Sequence, residues 1–305
     1  MTERKETQPA GELIDEVVDR LMPTDDQNVE RIPTGFQNLD EKMGGFPKGE
    51  VTVLSGRPSD IVKQLAKGIA RKVSVHEGLP TTYFSATGVR NVLSDVLLNE
   101  ANVPLYKAGN LWGKDSDNML DESDQKAIQR AGEEFDDVPL YLDDRSIKTV
   151  SRLRERIEQL VADHGIELAI IDSVQIPKIK EDCGREYEIA EVVHTLKGVA
   201  KKQDIAILLL SEISDDIEDR SSHRPKLIDV GETDVITKLA DIVLLIYWEY
   251  HFTGDDDKKR VADLIVGKNT HGPSGTVPLK YDQEAGMFED YDDPGRYEND
   301  LFEER

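Results

Sequence analysis

Short apolar runs alternate with amphipathic stretches along most of the chain. Eight runs are predicted as strands, and several are almost continuously apolar, which is typical of strands covered on both faces. They lie at residues 50–55, 81–85, 138–142, 168–172, 205–211, 241–247, 261–267 and 276–281. Apolar residues at helical spacing predict helices at about 61–77, 90–101, 122–135, 149–164 and 187–202.

This order of elements predicts an α/β fold of three layers, with a mainly parallel sheet between helices on both faces. The last strands, within 241–281, are joined by short segments without a predicted helix. We therefore expect that edge of the sheet to be antiparallel.

The two ends of the chain differ from its body. Residues 1–30 are predicted to contain a disordered start, an amphipathic linker helix at 11–22 and a linker. A helix of three turns is marginal alone, so it should pack on its own domain or dock on a neighbouring subunit. Residues 289–305 are predicted to form an acidic tail.

Composition restricts the function classes. The chain has 38 basic and 62 acidic residues, a net charge of −24, which disfavours a sequence-independent grip on DNA or anionic lipid. Solubility or a salty cytoplasm explains the acidity more simply than an acidic interaction surface. The single cysteine, Cys183, excludes an intrachain disulfide. With no apolar run suited to a signal peptide or a membrane span, we expect a cytoplasmic protein.

The most informative stretch is residues 50–64, which reads as a strand, a Gly-Arg-Pro-Ser turn and the start of a helix. Phosphate-binding loops follow this plan and carry Gly-x-x-x-x-Gly-Lys-Ser/Thr. Counted from Gly56, the last three positions hold Ile61, Val62 and Lys63. A second candidate is Asp172, which ends a buried strand where α/β sheets bind ligands and could hold magnesium.

Several longer motifs resemble one family. IPTGFQNLDEKMGGFPKGE (32–50), GRPS (56–59), LAIIDSVQI (168–176), IAEVVHTLKGVAKKQDIAILLLSEIS (189–214) and GKNTHGPSGT (267–276) follow the order found in DnaB-type replicative helicases. The resemblance covers roughly 31–288 and implies a RecA-like domain. It also implies that helix 11–22 docks on the adjacent subunit of a hexameric ring. We expect no counterpart of the family's separate N-terminal helical domain in this sequence.

Carried over one position at a time, the resemblance places altered residues at the catalytic positions. The phosphate-loop lysine falls on Val62, its magnesium-binding hydroxyl on Lys63, the catalytic glutamate on Thr87, a glutamine on Glu212 and the arginine finger on Thr270. If nucleotide binds at all, the implied contacts are Gly56, Arg57, Pro58, Ser59, Lys63, Asp172 (through magnesium) and Lys268.

The resemblance also bears on DNA binding. The family's Arg-Glu-Ser-Gly loop reads Gly-Glu-Thr-Asp at 231–234, so a cation is lost and an acid is gained. Because cations dominate affinity for DNA, weak or absent binding is expected. Arg185 is the remaining candidate, although a solvated surface arginine is the favoured interpretation of it. The carboxylate pairs at 143–144 and 215–216 are interpreted as helix caps or solvent-facing groups.

Three functions remain open at this point. The favoured one is a non-hydrolysing homologue without a required cofactor, which acts in a homo-oligomeric ring or with an active DnaB-type helicase through helix 11–22. The second is a working ATP-dependent DNA helicase or DNA-stimulated ATPase in which Lys63 replaces the loop lysine, although Gln64 then replaces the hydroxyl. The third is anion binding without turnover at the helix start.

Overall fold

Six parallel strands form the centre and one side of a nine-stranded sheet in the computed structural model. The structure describes residues 30–109, 119–145, 148–175, 177–179, 184–231 and 234–292. The strand order is β11-β10-β9-β8-β3-β7-β6-β4-β5. The strands are β3 (Val51–Arg57), β4 (Thr81–Ser85), β5 (Leu140–Asp143), β6 (Leu168–Asp172), β7 (Ala206–Glu212), β8 (Ile242–Tyr247), β9 (Val261–Asn269), β10 (Gly275–Asp282) and β11 (Met287–Asp290), with β1 (Arg31–Ile32) and β2 (Phe46–Pro47) forming a separate two-stranded pair.

The helices connect these strands in the predicted alternation. They are α1 (Gln37–Met43), α2 (Ser59–Arg71), α3 (Val89–Glu100), α4 (Leu105–Ala108), α5 (Glu122–Glu134), α6 (Val150–His164), α7 (Arg185–Gln203), α8 (Val235–Leu239) and α9 (Glu249–Thr253). A π-helical stretch, Lys72–His76, continues α2. All five predicted helices and all eight predicted strands are present, whereas β1, β2, β11 and the short helices α1, α4, α8 and α9 were not anticipated.

The antiparallel edge is confirmed for β9, β10 and β11. The prediction placed β8 in the same edge, but β8 runs parallel to β3 and belongs to the central block. A short helix, α9, also interrupts the connection from β8 to β9. Because an antiparallel partner needs no long crossover, the chain closes its sheet with hairpins after β9.

The apolar strand runs are explained by two hydrophobic layers. In β6, Leu168 and Ile170 join the cluster under α1, α2 and α3, whereas Ala169 and Ile171 join the cluster under α6, α7 and α8. Successive side chains of a strand point to opposite faces, so a strand buried on both faces is apolar at every position. The three-layer α/β prediction is therefore confirmed.

One contact joins the start of this unit to its end. The backbone N–H groups of Gln37 and Asn38, at the start of α1, each donate to the carboxylate of Asp290 on β11 at 3.1 Å. This carboxylate caps a helix that has no side-chain cap of its own.

Some predictions fall on residues outside the described ranges. These include the helix at 11–22, most of the acidic tail, and Cys183. Among the described residues, no helix combines the length and the apolar character needed to cross a membrane.

Candidate nucleotide-site region

The Gly-Arg-Pro-Ser turn joins the carboxyl end of β3 to the first residue of α2. Gly56 is required there, because a Cβ atom at this position would lie 2.2 Å from Cγ2 and 2.7 Å from the carbonyl oxygen of Ile246 on β8. The helix starts without a side-chain cap, and Asp60 lies in its first turn. The backbone N–H of Ile61 donates to the carbonyl of Pro58 at 3.2 Å.

The loop positions at which the resemblance expects glycine and lysine belong to the core. Ile61 is 1% exposed and Val62 is 3% exposed, and both pack in the hydrophobic cluster beneath α2. A phosphate group would need to approach the backbone where these side chains are packed. The strand, turn and helix are thus where the sequence predicts them, but the first helical turn is used for packing.

A cavity of about 150 Å³ opens beside this turn, at the carboxyl ends of β3, β4, β6 and β7. It is lined by Ser59, Val62, Lys63, Ala86, Thr87, Asp172, Ser173, Gln175, Leu210, Ser211 and Glu212. The fold therefore brings together six of the residues singled out from the sequence, from four separate segments. Gly56, Arg57 and Pro58 flank the cavity in the adjoining turn, whereas Lys268, Thr270 and Arg185 are not among its lining residues.

Asp172 is the buried acid of the cavity, with 4% of its surface exposed. Burial raises the pKa of its carboxyl, and the positive charges of Lys63 and Lys67 offset only part of this effect. Lys67 lies one turn after Lys63 and forms an ion pair with Asp95. Lys63 is therefore a cation that lines the cavity beside Asp172, as the displaced-lysine alternative requires.

Thr87 and Glu212 both line the cavity, and they bring different groups to its edge. The hydroxyl groups of Thr87 and Ser85 are 3.0 Å apart, and the Thr87 N–H donates to Ser85 Oγ at 3.2 Å. Thr87 therefore supplies a hydroxyl group and no carboxylate at the cavity edge. Glu212 ends β7 with an exposed side chain, which adds a negative charge near Asp172.

Arg57 does not face an open loop. Its Nε donates to Glu218 at 2.6 Å, and its Nη1 forms an ion pair with Asp215. Partial burial lowers the pKa of Arg57, but the hydrogen bonds to Glu218 and Asp215 outweigh burial and raise it. The interpretation of Asp215 as a solvent-facing group is confirmed, because its side chain is 88% exposed, but its carboxylate also reaches Arg57 in the turn after β3.

Lys268 and Thr270 lie at the other end of the sheet. Lys268 Nζ donates to the carbonyls of Thr237 at 2.9 Å and Ala240 at 2.7 Å, at the carboxyl end of α8. The Thr270 N–H donates to the carbonyl of Asp241, just before the amino end of β8. The Gly-Arg-Pro-Ser turn instead follows the carboxyl end of β3, which runs parallel to β8. These two ends of the parallel strands are five residues apart, a distance of about 16 Å. One chain therefore does not bring them to its own cavity.

Arg185 is held by its neighbours. Its Nη1 donates to Glu188 at 2.7 Å, and its Nη2 donates to the carbonyl of Gln175 at 3.2 Å. The loop at 231–234 is described only at its two ends, where Asp234 forms an ion pair with Lys238. Within the described residues, no group of three His, Cys, Asp or Glu side chains could hold a metal ion.

Comparison with known proteins identifies the family. The sequence profile of the DnaB-like helicase C-terminal domain matches residues 31–290. The chain belongs to this DnaB-like family. It is 29% identical over 289 residues to the replicative DNA helicase DnaB of Leifsonia xyli, covering 93% of this chain and 61% of that protein. The corresponding values for DnaB of Geobacillus stearothermophilus are 28% over 269 residues, 86% and 57%.

Solved structures share this fold. A DnaB-like replicative helicase, studied with its interactions with primase, superimposes with a TM-score of 0.82 at 22% identity, covering 94% of this chain and 68% of that one. A second solved structure, of an ATPase domain alone, gives a TM-score of 0.80 at 22% identity, covering 94% of this chain and 100% of the other. The chain spans about three-fifths of the length of the DnaB relatives it matches.

Sequence reasoning missed two sets of residues around the site. Asp60 could have been noticed, since an acid two residues after Pro58 repels phosphate from a loop that would bind it. The carboxylates of Asp215 and Glu218 gave no such signal, because their partner Arg57 lies more than 150 residues earlier.

Proposed function

We propose that this chain is a DnaB-like protein that keeps the RecA-like fold, does not hydrolyse ATP and acts as an interaction or regulatory partner. The observation that carries the proposal is the burial of Ile61 and Val62, at the positions where the family's loop has glycine and lysine. Thr87 and Thr270 support it, because they occupy the positions of the catalytic glutamate and the arginine finger. These groups serve one transition state, so their joint replacement removes most of its stabilisation.

The residues present do not fit magnesium and ATP. Asp172 could hold a cation, but the neighbouring hydroxyl is replaced by the ammonium group of Lys63, which repels a metal ion. Glu212 adds negative charge to the cavity in which a triphosphate would lie, and Asp60 adds negative charge to the first turn of α2. We therefore assign no reaction step to a bound nucleotide.

Hydrolysis of ATP by the purified chain with magnesium tests the proposal. The matched control is Asp172→Asn, which removes the buried carboxylate at the position that the resemblance assigns to magnesium, and a hydrolysing DnaB assayed in parallel shows that the conditions are suitable. We expect the same background rate for the chain and the variant. A rate well above background that the substitution abolishes would refute the proposal.

A working helicase with an atypical loop is the second candidate, favoured by one observation. Lys63 lines the cavity beside Asp172 and could contact phosphate in place of the lost lysine. A ligand that binds only the native state raises its stability by RT ln(1 + [L]/Kd). This candidate therefore requires that magnesium and ATP raise the melting temperature of the chain and raise it less in Lys63→Met. No thermal shift would exclude it.

The partners follow from the same proposal. We infer that residues 31–288 act as one RecA-like domain in the cytoplasm, with residues 1–30 as a linker and 289–305 as a tail. Through the helix at 11–22 the domain joins copies of itself or an active DnaB-type helicase, and its contribution to DNA binding is small. Molar mass by light scattering, for the full chain and for a chain lacking residues 1–22, tests this inference. The inference would be contradicted if the full chain and the shortened chain had the molar mass of a monomer, both with and without an active DnaB.

A further inference from the structure

The acidic turn, Asp215–Asp219, follows β7 and lies against the Gly-Arg-Pro-Ser turn. Two of its carboxylates, Asp215 and Glu218, contact the guanidinium of Arg57, one at Nη1 and the other at Nε at 2.6 Å. Two of the three guanidinium nitrogens are therefore engaged by the chain itself. We propose that the acidic turn is an internal competitor that holds Arg57 and keeps phosphate-type anions off this loop.

The acidic turn is anchored by contacts that do not involve Arg57. The Ser214 hydroxyl caps it by accepting from the N–H of Asp216 at 3.3 Å, and Ile217 at its centre is 1% exposed. Directly after it, Arg220 forms an ion pair with the buried Asp229 at 2.8 Å. Because these contacts fix the backbone on both sides, the two carboxylates are positioned before Arg57 pairs with them, and little entropy is lost in the pairing.

Few other groups of the turn favour an anion. Pro58 has no N–H, and the N–H of Ile61 already donates to the carbonyl of Pro58. Asp60 places a further negative charge on the first turn of the helix. Arg57 is the cation within the Gly-Arg-Pro-Ser turn itself, and a phosphate that binds there must first displace two carboxylates held close to it.

This inference rests on the proposed function, since it assigns a regulatory contact to the same loop. It predicts that removing the two carboxylates creates a measurable anion site. The Asp215 and Glu218 side chains are 88% and 50% exposed, and for two ion pairs of this kind we expect a gain in affinity of about threefold to tenfold. The expected ligand class is an inorganic or organic polyphosphate, because Arg forms paired hydrogen bonds with phosphate oxygens.

The test is isothermal titration of inorganic pyrophosphate into the full chain at low ionic strength, where exposed charges are least screened. The variant is Asp215→Asn with Glu218→Gln. The matched control is Asp216→Asn with Asp219→Asn, which removes the same charge from exposed residues of the same turn. We expect at least threefold tighter binding in the variant than in the control, and loss of this gain when Arg57→Gln is added. Equal affinities, or no binding by either protein at millimolar pyrophosphate, would overturn the proposal.

Thermal unfolding of every variant verifies that the fold is retained. If the double variant does not fold, the single pair Asp215→Asn and Asp216→Asn is compared in the same titration. Hydrolysis of ATP is measured separately. Hydrolysis that depends on Asp172 would refute the proposed function whatever the titration shows, whereas unchanged pyrophosphate affinity refutes only the internal competitor.

Discussion

Replacing Ile61 tests whether the start of α2, directly after the Gly-Arg-Pro-Ser turn, is part of the core. Ile61→Ala removes a side chain that is 1% exposed and packed in the hydrophobic cluster under α2. Truncations of this kind in well-packed interiors cost about 2–5 kcal/mol, because the lost burial and the cavity add together. We expect the free energy of unfolding to fall by about 3 kcal/mol. For a domain of this size, that corresponds to a lower melting temperature by about 6–12 °C.

Ile228→Ala is the matched control, because it deletes the same atoms from a side chain that is 81% exposed. Its effect should stay within about 0.5 kcal/mol, as is usual for exposed positions. Both variants are measured by urea denaturation and by thermal unfolding. If Ile61→Ala costs no more than Ile228→Ala, the first turn of α2 is not held in the core. The loop would then be free to adopt a phosphate-binding conformation, which would contradict the assignment of Ile61 to the core.

Three further predictions concern the surroundings of the site. Asp290→Ala should lower the free energy of unfolding by about 1–2 kcal/mol through loss of the cap on α1, whereas Glu289→Ala, beside it, should cost under about 0.5 kcal/mol in the same denaturation experiment. Because burial raises the pKa of Asp172, its charged form opposes folding; Asp172→Asn should stabilise the chain at pH 7, and the difference should shrink as the pH falls through the raised pKa. Burial acts to raise the pKa of Glu100, but the hydrogen bond from Arg71 outweighs it and the pKa is lowered; Glu100→Gln should therefore destabilise the chain above its ordinary pKa of 4.5, and this effect should disappear as the pH falls through the lowered pKa.

The main strands could be predicted because burial on both faces leaves a direct trace in the sequence. β6 is apolar at four successive positions, Leu168, Ala169, Ile170 and Ile171. Such a continuous apolar run is typical of a strand that is buried on both faces. The helix α5 could be predicted from its start, since Asp121 accepts from the N–H groups of Ser123 and Asp124 as an N-cap should. The short helices and β11 leave no comparable trace, because their positions depend on distant partners such as Asp290 with α1.

The cavity could be predicted in part. The carboxyl ends of parallel strands meet at one edge, so Ser59, Asp172 and Glu212 could be placed together from their strand positions alone. What could not be predicted is the use made of Arg57. Its partners sit in a turn after β7, and nothing in the spacing of two exposed acids says which cation they contact.

Three features of a helix start normally attract a phosphate group: the positive end of the helix, the exposed backbone N–H groups and a nearby cation. In this chain another residue counters each of these features at the Gly-Arg-Pro-Ser turn. Asp60 supplies negative charge to the first turn, Ile61 fills the space at the backbone, and Arg57 is paired with the acidic turn. Each of these features alone would weaken anion binding, and together they leave few groups of the turn available to bind a ligand. The loss of hydrolysis that we propose therefore need not come from one missing catalytic residue, because residues of the chain itself counter several of the features by which this helix start would attract a nucleotide.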